Sequence, residues 1–159
     1  MSLKILKKQL VLCGSMAYYN DFVQIQSHLL DLGIKCIIPT PDTQYESQFK
    51  NISFDDYKRS MSYKYITKIK QLETIGILIY NPEKHNIKNY IGPNTFAEIA
   101  IAFSAKKRIF IYYDLPSVYY DELTSWRCLC YHGDYVKLYE DILEYFRIEK
   151  AQLELFNDE

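Results

Sequence analysis

The sequence predicts an α/β protein whose core is a doubly wound sheet of about five mainly parallel strands flanked by helices. Three observations predict it. Short apolar runs such as "QLVLCGS", "IGILIYN" and "RIFIYYD" recur along the chain, segments of helical period separate them, and Gly or Pro stands at several of the changes of pattern. A length of 159 residues fits a single domain, residues 1–159, large enough to bury a real core.

The first run, "QLVLCGS", is a short buried strand stopped by Gly14. A helical pattern follows from about Tyr19 to Leu32 and stops at Gly33, a residue suited to a helix C-terminus. "IKCIIP" is a second strand closed by Pro39, and "TPDTQYESQFKNIS" has turn residues without periodicity, which predicts a surface loop able to act as a lid. Ser53 is placed to cap a helix running to about Leu72, with Asp55 and Asp56 favourable in its first turn.

"IGILIYN" is apolar almost without interruption, the mark of a central strand buried on both faces. "PEKHNIKNYIGPN" is the loop leaving it, and an apolar helix carrying Glu98 follows. "RIFIYYD" is the fourth strand and "RCLCYHGD" the fifth. "YVKLYEDILEYFRIEKAQLELF" is a long amphipathic helix whose Tyr135, Leu138, Tyr139, Ile142, Leu143, Tyr145 and Phe146 suggest core packing or a homodimer or higher homo-oligomer interface. This order implies a Rossmann-like (flavodoxin-like) arrangement, with ligands at the C-terminal ends of the strands near the switch point.

A net charge of −1 and a pI near 6.3 offer no global attraction for nucleic acid or anionic membranes. No run reaches the ~20 apolar residues of a membrane span. "MSLKILKKQLVL" lacks a signal peptide's cleavage region, so a cytoplasmic location is expected. Cys13, Cys36, Cys128 and Cys130 form no metal-ligand spacing and read as reduced thiols inside strands. No pattern calls for a metal or cofactor.

Two loops should flank one crevice: "CGSMAYYND" and "NPEKHNIKNYIGPNT". The first has one Gly and leads into a helix whose free N–H groups suit an anion, with Gly14 and Ser15 as candidate donors, although by itself it reads first as a plain turn. It contains neither G-x-G-x-x-G nor a Walker A sequence. From Asn89 to Ala105 one side chain is charged, Glu98. Thr95-Phe96-Ala97-Glu98 fits a capping box, in which Glu98 would bond back to the N-cap amide. The apolar residues around it also suit a carboxylate nucleophile facing a dry pocket in a helix buried all round. Asn89, Tyr90 and Gly92 either shape that pocket or form a simple turn. His85 reads as a solvated loop residue, since no acid is paired with it by spacing.

"CGS" after the first strand, the apolar third strand, and a loop ending in T-x-x-E resemble the nucleoside 2-deoxyribosyltransferase superfamily, which includes the 2′-deoxynucleoside 5′-phosphate N-hydrolases. The resemblance spans roughly Gln9 to Pro116. It implies a small-molecule nucleoside or nucleotide substrate, an oligomer with sites near subunit boundaries, and Glu98 as a nucleophile attacking C1′ of a 2-deoxyribosyl group. The family's Gly-Thr-x-x-Glu becomes Asn94-Thr95-Phe96-Ala97-Glu98 here, with Asn94 in a left-handed turn. The family's orienting Tyr falls at Val11 and its Asp at Asn81. Tyr18, Tyr80 or Tyr90 are candidates to replace the phenol, Asp42 or Asp56 to supply a proton, and Phe96 or Met16 to form an apolar wall against a 2′-hydroxyl. Two other readings remain open: a nucleotide sensor without chemistry, and a hydrolase of another N-glycoside such as NAD or a ribonucleotide.

Overall fold

The computed structural model describes residues 8–41 and 51–157. In chain order it contains β1 (Gln9–Gly14), a 3-10 turn (Met16–Tyr18), α1 (Tyr19–Asp31), β2 (Lys35–Ile37), α2 (Phe54–Lys70), β3 (Thr74–Tyr80), α3 (Pro93–Ser104), β4 (Arg108–Ile111), α4 (Tyr120–Ser125), β5 (Leu129–Cys130) and α5 (Tyr135–Asn157). The strands pair in parallel in the order β2-β1-β3-β4-β5. This is the flavodoxin-like order, and its switch point lies between β1 and β3.

Alternation along the strands sorts the core into two layers. Leu10, Leu12, Leu78 and Phe110 face one side of the sheet, where Phe22, Ile25 and Leu29 of α1 and Leu138, Tyr139 and Ile142 of α5 cover them. Val11, Cys13, Ile77, Ile79, Ile109 and Ile111 face the other side, beneath Ile69 of α2, Ile99 and Ala102 of α3 and Leu123 of α4. Both faces of β1 and β3 are therefore closed, which is why their runs are apolar without a gap. Core packing absorbs most of the apolar stripe of α5, although Tyr135 stays about half exposed.

The helix ends follow local chemistry. Gly33 at φ +80 ends α1, with Ile34 N–H bonding Leu29 O at 2.9 Å and Gly33 N–H bonding Leu30 O at 2.8 Å, a Schellman closure. Ser53 Oγ accepts from Asp56 N at 3.1 Å to start α2. The strand expected over "IKCIIP" is confined to Lys35–Ile37, because only those residues find partners on β1. The expected lid falls largely at residues 42–50, outside the described residues. Among the described residues no helix is long and apolar enough to cross a membrane.

Gly14 ends β1 for a steric reason. A Cβ there would lie 2.6 Å from the Tyr80 carbonyl oxygen and 3.1 Å from the Phe22 ring. The close backbone approach at Gly14 is made to the neighbouring strand. Gly14→Ala is expected to cost about 1–3 kcal/mol through overpacking, read as a lower urea midpoint. An unchanged midpoint would show that β1 and β3 can part without penalty.

Candidate active site

Pro93 at the first helical position sets where α3 begins. Its fixed φ suits the first turn, and its missing N–H would have had no helical partner. The N-cap is Gly92, without a side-chain bond, and Phe96 N–H closes the first turn on Gly92 O at 2.9 Å. Thr95 is thus already inside the helix and buried, and Glu98 lies in the second turn. This overturns the capping box, because Glu98 is too far along to reach the N-cap amide. It also corrects Asn94, which is an exposed helical residue and not a left-handed turn.

The helix is not buried all round either. Ala97, Phe103 and Ser104 are exposed, since only one side meets the sheet. Phe96 is turned into an aromatic stack, 4.0 Å from Tyr119 and 5.6 Å from Trp126. Met16 is exposed beside the first loop.

What surrounds Glu98 is decided by β1 and α2. Cys13 shares the sheet face of Val11, and its thiol hydrogen-bonds the Glu98 carboxylate. Burial pushes Glu98 up to about 7, with the Cys13 bond acting in the opposite sense by favouring the charged form. Burial first, and then the charge of Glu98, raise the Cys13 thiol well above its usual range. Tyr65 of α2 donates its phenolic hydrogen to Leu12 O, and burial followed by the charges of Cys13 and Glu98 raises its pKa. Glu98 is thus a partly buried carboxylate that changes charge near neutrality, held against the C-terminal end of β1.

The phenol near Glu98 is Tyr65 and not Tyr18, Tyr80 or Tyr90, the three candidates in the sequence. The other three are engaged elsewhere. Tyr18 Oη donates to Glu83 O at 2.5 Å, and Tyr80 Oη to Asp21 at 3.2 Å. Tyr90 packs by Gly92 and lies beneath the Lys84 ammonium, 5.6 Å from its ring centre. The missed signal in the sequence was the position of Cys13, two residues beyond Val11 and so on the same sheet face.

The two loops do meet. Lys84 Nζ donates to Ser15 Oγ at 2.6 Å, and Ser15 also accepts weakly from Ala17 N at 3.4 Å. Asn81, fully buried, donates through its amide nitrogen to Asn89 O at 3.3 Å and Asp114 O at 2.8 Å, and accepts from Tyr113 N at 3.1 Å. Asn89 Oδ1 in turn accepts from Asp114 N at 3.5 Å. Asn81 and Asn89 therefore spend their polar groups joining the loops after β3 and β4. Of the proposed proton donors, Asp56 accepts from Ser53 Oγ in the α2 cap, and Asp42 lies outside the described residues. His85 is exposed against Tyr90, with ring centres 5.7 Å apart. Among the described residues no three His, Cys, Asp or Glu side chains are grouped to hold a metal.

No protein-family model matches the chain, and no curated protein does. A solved chain described as "Structure of Clostridium botulinum CMP N-glycosidase, BcmB" is similar over 89% of this chain and 99% of that one, with 14% sequence identity and a TM-score of 0.47. At that level of likeness nothing about activity passes to this chain.

Proposed function

We propose that this protein cleaves the N-glycosidic bond of a 2′-deoxynucleoside or its 5′-monophosphate, with Glu98 as nucleophile and water or a second base as acceptor. The observation that carries the reading is the state of Glu98: a partly buried carboxylate raised to about 7, with its capping role removed by the start of α3 at Pro93. Desolvation keeps such a group reactive when ionised, and perturbed carboxylates at a switch-point crevice are where such chemistry is expected.

In the first step a Glu98 oxygen attacks C1′ through an oxocarbenium-like state. The bond to the base breaks, and the base leaves with the electron pair and takes up a proton from solvent. In the second step water, or another base, attacks C1′ from the face the first base left and gives up a proton to solvent, freeing the carboxylate and retaining the anomeric configuration. The Cys13 thiol bond favours the ionised carboxylate that begins the first step and that the second step regenerates. Tyr65, tied to Leu12 O, fixes the wall behind it.

The test is incubation of the purified protein with deoxyribo- and ribonucleosides and their 5′-monophosphates, with and without an acceptor base, following free base by chromatography. Base release from deoxy substrates is expected, and its dependence on acceptor separates transfer from hydrolysis. No release from any of them, together with a nucleotide-dependent rise in Tm, would replace the enzyme by a sensor.

A further inference from the structure

We infer that a cleft at the N-terminal end of the sheet, opposite the Glu98 crevice, is a second ligand site that takes a nucleoside di- or triphosphate, with its base on Phe103 and Trp126 and its phosphates among Lys106, Arg108 and Arg127. The inference stands apart from the chemistry proposed for Glu98. Position, charge, backbone and ring geometry lead to it.

The cleft lies near the starts of β3, β4 and β5, at Ile75, Arg108 and Leu129, and α5 closes it with Tyr145 and Ile148. It encloses about 570 Å³, inside the ~300–1,000 Å³ of sites that take small ligands. Cys13, which touches Glu98, pairs with Ile79, four residues along β3 from Ile75, so the cleft and the crevice are ~13 Å apart along the strands.

Four cations, Lys106, Lys107, Arg108 and Arg127, line the cleft with one acid, Glu149, an excess of three positive charges in a chain whose net charge is −1. Glu149 is itself paired with Lys8 at 3.4 Å. Among the described residues neither Lys106 nor Arg127 has an acid within ion-pair reach. Lys107 Nζ donates to Gln71 O at 2.8 Å, and the Arg108 guanidinium lies 4.5 Å from the centre of the Tyr145 ring, contacts that position the two cations without neutralising them. Burial first, and then the charge of Lys8, hold the Lys107 ammonium below its usual range. An anion in the cleft would relieve that repulsion.

The backbone bears on why these cations stand here. α1, α3 and α4 end in the same closure, with Gly33 N–H on Leu30 O, Lys106 N–H on Phe103 O and Arg127 N–H on Thr124 O, each followed by a bond from the next residue back to the preceding carbonyl. The residue in the left-handed position is glycine in α1, at φ 80, but Lys106 at φ 57 in α3 and Arg127 at φ 56 in α4. Glycine is the least strained choice at such a position. The helix dipole favours a cation there, yet His28 in the last turn of α1 serves that purpose beside a glycine. The two ends that carry a long cation in the strained position are the two that border the cleft.

The rings supply the second half of the site. Phe103 and Trp126 lie 5.0 Å apart and 11° from parallel, and Phe96 and Tyr119 continue the stack behind Trp126. Phe103, the outermost ring, is 46% exposed. A flat base laid on it extends a column of near-parallel rings, while the cations beside it meet the phosphates in charge-assisted bonds. A bare polyphosphate would leave the rings unused, and a nucleoside would leave the charges unanswered.

Trp126 is the single tryptophan of the chain, so its fluorescence, excited at the red edge where the 16 tyrosines are silent, reports on the cleft. The full chain is titrated in magnesium-free buffer with ATP, GTP, CTP and UTP, the matching nucleosides, inorganic tripolyphosphate and a single-stranded oligouridylate. At least one triphosphate is expected to quench Trp126 saturably and to bind ten-fold or more tightly than its nucleoside and than tripolyphosphate. The double variant Lys106→Gly, Arg127→Gly should weaken that triphosphate ten-fold or more with a Tm no lower than the parent's, because glycine takes the left-handed conformation freely. Phe103→Ala should weaken the triphosphate several-fold and leave tripolyphosphate within two-fold. No saturable binding of any triphosphate, or affinity unchanged in the double glycine variant, overturns the site. Tripolyphosphate binding as tightly as every nucleotide overturns the role of the rings, and the oligouridylate binding more tightly than every triphosphate overturns the assignment to a small ligand. Base release is not read, so failure of the Glu98 chemistry and failure of this site are separate results.

Discussion

Glu98→Gln is expected to remove base release by on the order of 10³-fold or more, because the amide has no charge with which to attack C1′. The parent protein's kcat/KM should rise with pH through about 7, following ionisation of Glu98. Stability should move the other way. Glu98 has a folded pKa above its unfolded value, so its contribution is fully present below about pH 4.5 and is lost as pH rises through about 7. The rise from 4.5 to about 7 corresponds to about 3–4 kcal/mol at most, reduced by the partial exposure of the side chain. Glu98→Gln should flatten that limb in urea titrations between pH 5 and 8 and leave the helix start intact, since Gly92 caps α3. A variant that still turns over substrate would remove Glu98 from the chemistry. A variant less stable than the parent at pH 8 would show that the ionised form is better satisfied than its burial implies.

Asn81→Asp is expected to cost about 3 kcal/mol or more at pH 7, although the resembling family carries an Asp near this point. The Asn81 amide nitrogen faces two carbonyl oxygens, Asn89 O and Asp114 O, and only its oxygen meets a donor, Tyr113 N–H. A carboxylate would lose both donated bonds and set a buried negative charge against two acceptors. Its pKa would be raised, so stability should return in part as pH falls and the acid form donates again. Since Asn81 joins the loops after β3 and β4, the same change should weaken nucleotide binding through displacement of Asn89 and Tyr90. Urea midpoints at pH 5 and pH 7 measure the loss of stability and its partial return, and calorimetry with a 2′-deoxynucleoside 5′-monophosphate measures the binding. A variant within 1 kcal/mol of the parent at pH 7 would mean that the loops are held by other bonds.

The fold was largely legible because its signals are local. Uninterrupted apolar runs mark β1 and β3 as strands covered on both faces, and Gly33 and Ser53 mark helix ends through their own backbone and side-chain chemistry. α4 was missed because it is six residues long and no glycine marks its end, where Arg127 takes the left-handed position at φ 56. The start of α3 was misplaced because T-x-x-E matches a capping box in sequence, while Pro93 allowed the helix to begin three residues earlier.

By itself the sequence determined the α/β class, the number of main strands and the one carboxylate in an apolar helix, since periodicity and turn chemistry act over a few residues. Only the tertiary structure decided what touches that carboxylate and what faces Ser15. Tyr65 reaches the end of β1 from 53 residues away, and Lys84 reaches Ser15 across 69. Neither pairing has a period or spacing in the chain, because each depends on β3 lying beside β1 and on how α2 packs across the sheet.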